Sequence, residues 1–69
     1  MSKLYRGVDK SDGRESCFLV NDMGVAISSH CGDDEEEIQM NKESERSFEY
    51  ESAGEFAERA INPVLIAEW

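Results

Sequence analysis

Basic residues are scarce in this chain. Seven Lys and Arg face sixteen Asp and Glu across 69 residues, a net charge of −9. The bases form no patch, so direct binding to nucleic acid is not expected. Apolar runs are short as well: none exceeds four residues, against the ~20 that a membrane-spanning helix requires. The opening Met-Ser-Lys-Leu-Tyr-Arg has none of the apolar core that a secretory signal carries. A soluble, cytoplasmic chain with no membrane partner is the expectation.

Ligating and nucleophilic residues are equally few. Cys17, His30 and Cys31 are the only soft metal ligands. No Cys-x-x-Cys spacing supports tetrahedral zinc, and on a strand the neighbouring His30 and Cys31 side chains diverge. The same pair could serve as thiol and base, which keeps a small enzyme or ligand-binding module in view. Nothing else supports it, since a glycine-rich phosphate loop, a Gly-x-Ser-x-Gly elbow and a His-Glu-x-x-His helix are all absent. An EF-hand loop fails too: counted from Asp33, its sixth position is Ile38 and its twelfth Ser44. No catalytic residue, cofactor or metal is expected. Free thiols are the default for two cytoplasmic cysteines, with a bridge between Cys17 and Cys31 left open.

What the chain does have is acid, unevenly placed. Residues 1–31 hold four bases and four acids, whereas residues 32–69 hold three bases and twelve acids. The run Asp33-Asp34-Glu35-Glu36-Glu37 opens the acidic part. Charge divided this sharply points to an interaction surface. A chain this short makes one domain, 1–69, burying only about 60% of its unfolded surface. So thin a core suits a binding surface better than a catalytic cleft.

The pattern of side chains predicts α+β: an antiparallel sheet of about four strands with one C-terminal helix packed on one face. Residues 3–8 have β-formers at Leu4, Tyr5 and Val8 and suit a short edge strand. After the turn at Ser11-Asp12-Gly13, the apolar runs Cys17-Phe18-Leu19-Val20 and Val25-Ala26-Ile27 flank Asn21-Asp22-Met23-Gly24. That arrangement predicts a central hairpin over 16–28. Ile38 and Met40, then Phe48 and Tyr50, alternate with polar residues and predict a second, acidic hairpin over 34–51. Ser52 with Glu55 has the form of a capping box, opening a helix over 52–61 with Phe56, Ala57, Ala60 and Ile61 on one face. Pro63, the only proline, ends it. The apolar segment 63–69 is then a short helix or a final strand.

If the second hairpin buries Ile38, Met40, Phe48 and Tyr50, then Glu35, Glu37, Glu49 and Glu51 form a ladder of carboxylates on its outer face. Like charges opposed across strands cost a few tenths to about 1 kcal/mol per pair, and solubility alone would intersperse bases. Spaced carboxylates can imitate a phosphate track, which offers one charge per ~3.4 Å of strand axis. A solvated acidic face without a partner is the plain alternative. Val64-Leu65-Ile66-Ala67-Glu68-Trp69 completes the core or, anchored by Trp69, makes a homodimer or partner contact.

In size, in the 33–37 run and in the outward set Glu35, Glu37, Glu49, Glu51, Glu55 and Glu58, the chain resembles small phage-encoded DNA-mimic inhibitors of the anti-CRISPR and anti-restriction class. The resemblance covers roughly the second half and no diagnostic motif. It implies an inhibitor acting in the host cytoplasm, blocking a CRISPR effector or another nucleic-acid-binding protein through Asp33, Asp34, Glu35, Glu37, Glu49, Glu51, Glu55 and Glu58. Lys42, Arg46 and Arg59 interrupt that field, so the mimicry would be partial. An acidic adaptor on a basic partner unrelated to nucleic acid is the alternative.

Overall fold

The computed structural model describes residues 1–28 and 32–69. Its centre is a four-stranded antiparallel sheet of β1 (Lys3–Asp9), β2 (Arg14–Asn21), β3 (Gly24–Ser28) and β4 (Ala60–Glu68), in the order β3-β2-β1-β4. Helix α1 (Glu35–Ser44) continues into a 3₁₀ turn at Glu45–Ser47, and a second short helix, α2 (Gly54–Arg59), precedes β4. The class is α+β. The helix expected at the C-terminus lies instead just before the last strand.

The central hairpin forms where the two apolar runs predict it, with Asn21 opposite Gly24 and Cys17 opposite Ser28. Met23 N–H donates to the Asn21 side-chain oxygen at 2.8 Å, tying the two-residue turn Asp22-Met23. Gly24 has φ 124°, and a Cβ there would lie 1.9 Å from the Glu51 carbonyl oxygen. Glycine is therefore required twice over, by backbone conformation and by the passing chain.

The continuous run at Cys17-Phe18-Leu19-Val20 is explained by burial on both faces of the sheet. Alternation sends Cys17 and Leu19 to one face and Phe18 to the other, and all three are fully buried. On the first face Leu4, Cys17 and Leu19 pack under Ile38, Phe48, Ile66, Ala67 and Trp69. On the second, the Phe56 ring of α2 lies 4.8 Å from Tyr5 and 5.8 Å from Phe18. The helices thus cover opposite faces, and a strand covered twice has no polar side to alternate with.

Several local expectations are corrected. The acidic hairpin over 34–51 does not exist; its first arm is α1. Asp34 caps that helix, its side chain accepting the Glu37 N–H at 2.8 Å. Glu35, Glu36 and Glu37 occupy the first turn and Lys42 the last, the arrangement favoured by the helix dipole. Glu, Gln, Met and Lys are strong helix formers, and they outweigh an alternation only two apolar residues long. The second arm reduces to one bridge, Glu51 with Val25. Residues 3–8 do not form an edge strand: β1 lies between β2 and β4. The capping box at Ser52 is not made, since the N-cap falls on Ala53 without a side-chain bond.

The segment 63–69 is strand as far as Glu68, the second of the two forms left open. It belongs to β4, which begins at Ala60, so α2 ends before Pro63 is reached. The β1–β4 register shifts between Leu4 and Tyr5 and again between Arg6 and Val8. A Cβ on Gly7 would sit 3.0 Å from the Ile61 carbonyl oxygen and 3.2 Å from Pro63 Cα, so the bulged strand needs glycine beneath it. Cys17 is disulfide-bonded, which corrects the expected free thiol. Cys31 and His30 lie outside the described residues.

Candidate functional site

Three groups of charged side chains stand out, and two of them are braces. The first joins β1 to α2. Arg59 reaches Asp9 through Nη2 at 2.8 Å and Nε at 3.3 Å, and Glu51 through Nη1 at 2.9 Å. Asp9 is 2% exposed, and its Oδ1 also accepts from Ser11 N–H and Oγ–H. The Arg59 guanidinium, against the opposing effect of burial, holds the Asp9 carboxyl down at about 2. The same contacts push Arg59 further above its ordinary value. Both carboxylate oxygens of Asp9 accept hydrogen bonds from within the chain, so this cluster fastens the fold.

The second brace centres on Glu45, which accepts from Ser2 Oγ–H, Asn21 Nδ2 at 2.8 Å and Trp69 Nε1 at 3.1 Å. Burial raises this carboxyl, but the three hydrogen bonds outweigh it and leave Glu45 below its ordinary value. Tyr50 Oη donates to the Glu45 carbonyl at 2.6 Å. Both ends of the chain meet here, with backbone bonds exchanged between Ser2 and Trp69 at 2.7 and 2.9 Å. Lys42 Nζ lies 5.5 Å from the centre of the Trp69 ring, so the indole is engaged within the chain.

The third group faces water. Asp33, Asp34, Glu35 and Glu36 are exposed at the start of α1, and Glu43 is exposed near its end. Asp33 has 69% of its side chain exposed and sits 3.9 Å from Arg6, a pairing weak at that distance and exposure. Glu43 accepts from Gln39 Nε2 at 3.3 Å. Glu36, Gln39 and Glu43 share a stripe by helical spacing.

Of the eight residues expected to form one surface, Asp33, Asp34 and Glu35 come together here. Glu37 is in the same turn but half-buried; its Cγ would lie 2.6 Å from a Cβ on Gly32, so its stem folds back over that glycine. Glu49 and Glu51 run along the β3 edge, where Glu51 is held by Val25 and Arg59. Glu55 and Glu58 belong to α2, on the opposite face of the sheet from α1. No carboxylate ladder forms. Glu36 and Glu43 were absent from the expected set, and only a helical period over 35–44 would have pointed to them.

Among the described residues, no group of three or more His, Cys, Asp or Glu side chains is arranged to hold a metal ion. No helix among them is long and apolar enough to cross a membrane. No protein-family model, curated protein or solved structure matches this chain.

Proposed function

We propose that this protein is a small acidic inhibitor that presents carboxylates to the basic, nucleic-acid-binding surface of another protein. The supporting observation is that the exposed acids of α1 stand with little neutralisation. Arg59 is committed to Asp9 and Glu51, Lys3 pairs with Glu68, and Lys42 lies over Trp69, while Arg6 offsets the group only through its weak 3.9 Å contact with Asp33. Glu36 and Glu43, seven residues apart on α1, are separated by ~10.5 Å along the axis. Three phosphate steps of a DNA strand cover ~10 Å. A groove built for phosphates can therefore meet carboxylates at a related spacing, giving a steric and electrostatic block. The source implied by the resemblance is a phage, the target a CRISPR effector or restriction-type enzyme, and the setting the host cytoplasm.

A second reading is an acidic adaptor on a basic partner unrelated to nucleic acid. It is favoured by the separation of the acids onto opposite faces of the sheet, which leaves the short acidic start of α1 alone on its side, an extent that fits a compact basic patch better than a long groove. The test is capture of partners from a bacterial lysate at low salt, comparing wild type with the double variant Glu35→Lys, Glu36→Lys. Binding should weaken at least tenfold, about 1.4 kcal/mol, while a Glu55→Lys, Glu58→Lys variant loses less. A loss below twofold for the α1 variant would remove this surface from the account.

A further inference from the structure

The chain treats the two edges of its sheet differently. At the β3 edge Glu51 exchanges both backbone hydrogen bonds with Val25, at 3.0 and 2.8 Å. The β4 edge carries no such cover among the described residues, and it exposes Ile61, Val64 and Leu65 at 42%, 59% and 48%. An open edge with apolar side chains is a template for adding another strand. Its composition narrows what that strand can be: from Ala60 to Ala67 the chain has no charged residue, although its net charge is −9.

We propose that β4 is the interface of a twofold-symmetric homodimer, in which two β4 edges pair antiparallel and continue the sheet across the axis. Charge selects the occupant. A basic partner would be drawn to the carboxylates of α1 and gain nothing from an uncharged edge. Two copies at −9 repel over most of their surfaces, and this edge lets them meet without setting acid against acid. Pro63 has no N–H to give, which confines pairing to residues 64–68. An axis at Ile66 places Glu68 against Val64 of the partner subunit, and Glu68 has Lys3 of its own chain at 3.8 Å. Like charges are never opposed. Self-complementarity of this kind is what a twofold interface requires. Trp69 is not the anchor, since its indole and backbone are already bonded to Glu45 and Ser2. The dimer forms with or without a target for the acidic helix.

Sedimentation equilibrium of the full chain, up to millimolar concentration and at low and high salt, tests this. The expected result is a mass rising to twice that of the monomer, with tighter association in salt. Screening shortens the reach of the repulsion from ~10 Å at 0.1 M to ~3 Å at 1 M. Val64→Lys and Leu65→Lys should each weaken the dimer at least tenfold while leaving unchanged the unfolding midpoint measured at concentrations low enough for the monomer to prevail, because both side chains already reach solvent. Ile27→Lys, on the β3 edge, should leave the dimer intact. A monomer under all conditions would overturn the proposal. So would a dimer that survives both β4 variants, one that Ile27→Lys disrupts equally, or one that salt dissociates.

Discussion

Replacing Asp9 with Asn isolates the charge in the brace that joins β1 to α2. The carboxyl drops from 3.8 in the unfolded chain to about 2 in the folded one, held chiefly by Arg59. Because the folded value is the lower, the contribution is complete above pH 3.8 and is lost as pH falls toward 2. A difference of that size corresponds to at most ~2.5 kcal/mol. Arg59 keeps 25% of its side chain exposed, and solvent screening reduces the contribution to about 1–2 kcal/mol. Asp9→Asn should therefore lower stability by about 1–2 kcal/mol at pH 7, read from urea unfolding followed by circular dichroism. Toward pH 2 the gap should close to under about 0.5 kcal/mol, as the wild type loses the same charge. Other carboxylates titrate in both proteins and cancel in the difference. Parallel profiles, with the gap unchanged between pH 7 and pH 2, would refute the assignment.

Two further substitutions probe the helices. Asp34→Ala removes the N-cap of α1 and should cost about 1 kcal/mol, with a loss of helical ellipticity; an unchanged unfolding midpoint would show that the cap is not needed. Phe56→Ala strips the ring that covers Tyr5 and Phe18 and should cost about 2 kcal/mol, below the 3–5 of a fully buried phenylalanine because Phe56 is half-buried. Chemical denaturation would read this directly, and a cost under about 0.5 kcal/mol would mean that α2 does not close the second face.

The β2–β3 hairpin was legible because two independent signals agree there. Apolar runs give the strands, and Asn21 and Gly24 give the turn. The acidic segment was not legible by the same means. Ile38 and Met40 read as alternation, and the competing evidence was the cap at Asp34 with three glutamates behind it, whose meaning depends on helix dipole and propensity rather than on hydrophobic period. Phe48 and Tyr50 alternate as a strand would, yet their partners are the α1-side core and Glu45, contacts that no local pattern specifies. Strand β4 is interrupted by Asn62 at φ 51° and by Pro63, and an Asn-Pro pair in sequence argues against a strand that begins at Ala60 and runs through it. Only the edge position, with Gly7 beneath the bulge, makes both tolerable. For the acidic surface, composition identified the charge but not its geometry: the acids that share a face follow from α1, where Glu36 and Glu43 fall on one stripe, while Glu49 and Glu51 lie apart on the β3 edge.

The most direct test of the proposed function is competition. A partner captured by the wild-type protein is titrated with labelled duplex DNA, in the absence and presence of the protein, at fixed salt. Mutual exclusion is expected: the protein displaces DNA, DNA displaces the protein, and the Glu35→Lys, Glu36→Lys variant does so at least tenfold less well. A ternary complex in which the partner holds DNA and the protein together, with neither affinity changed, would contradict it.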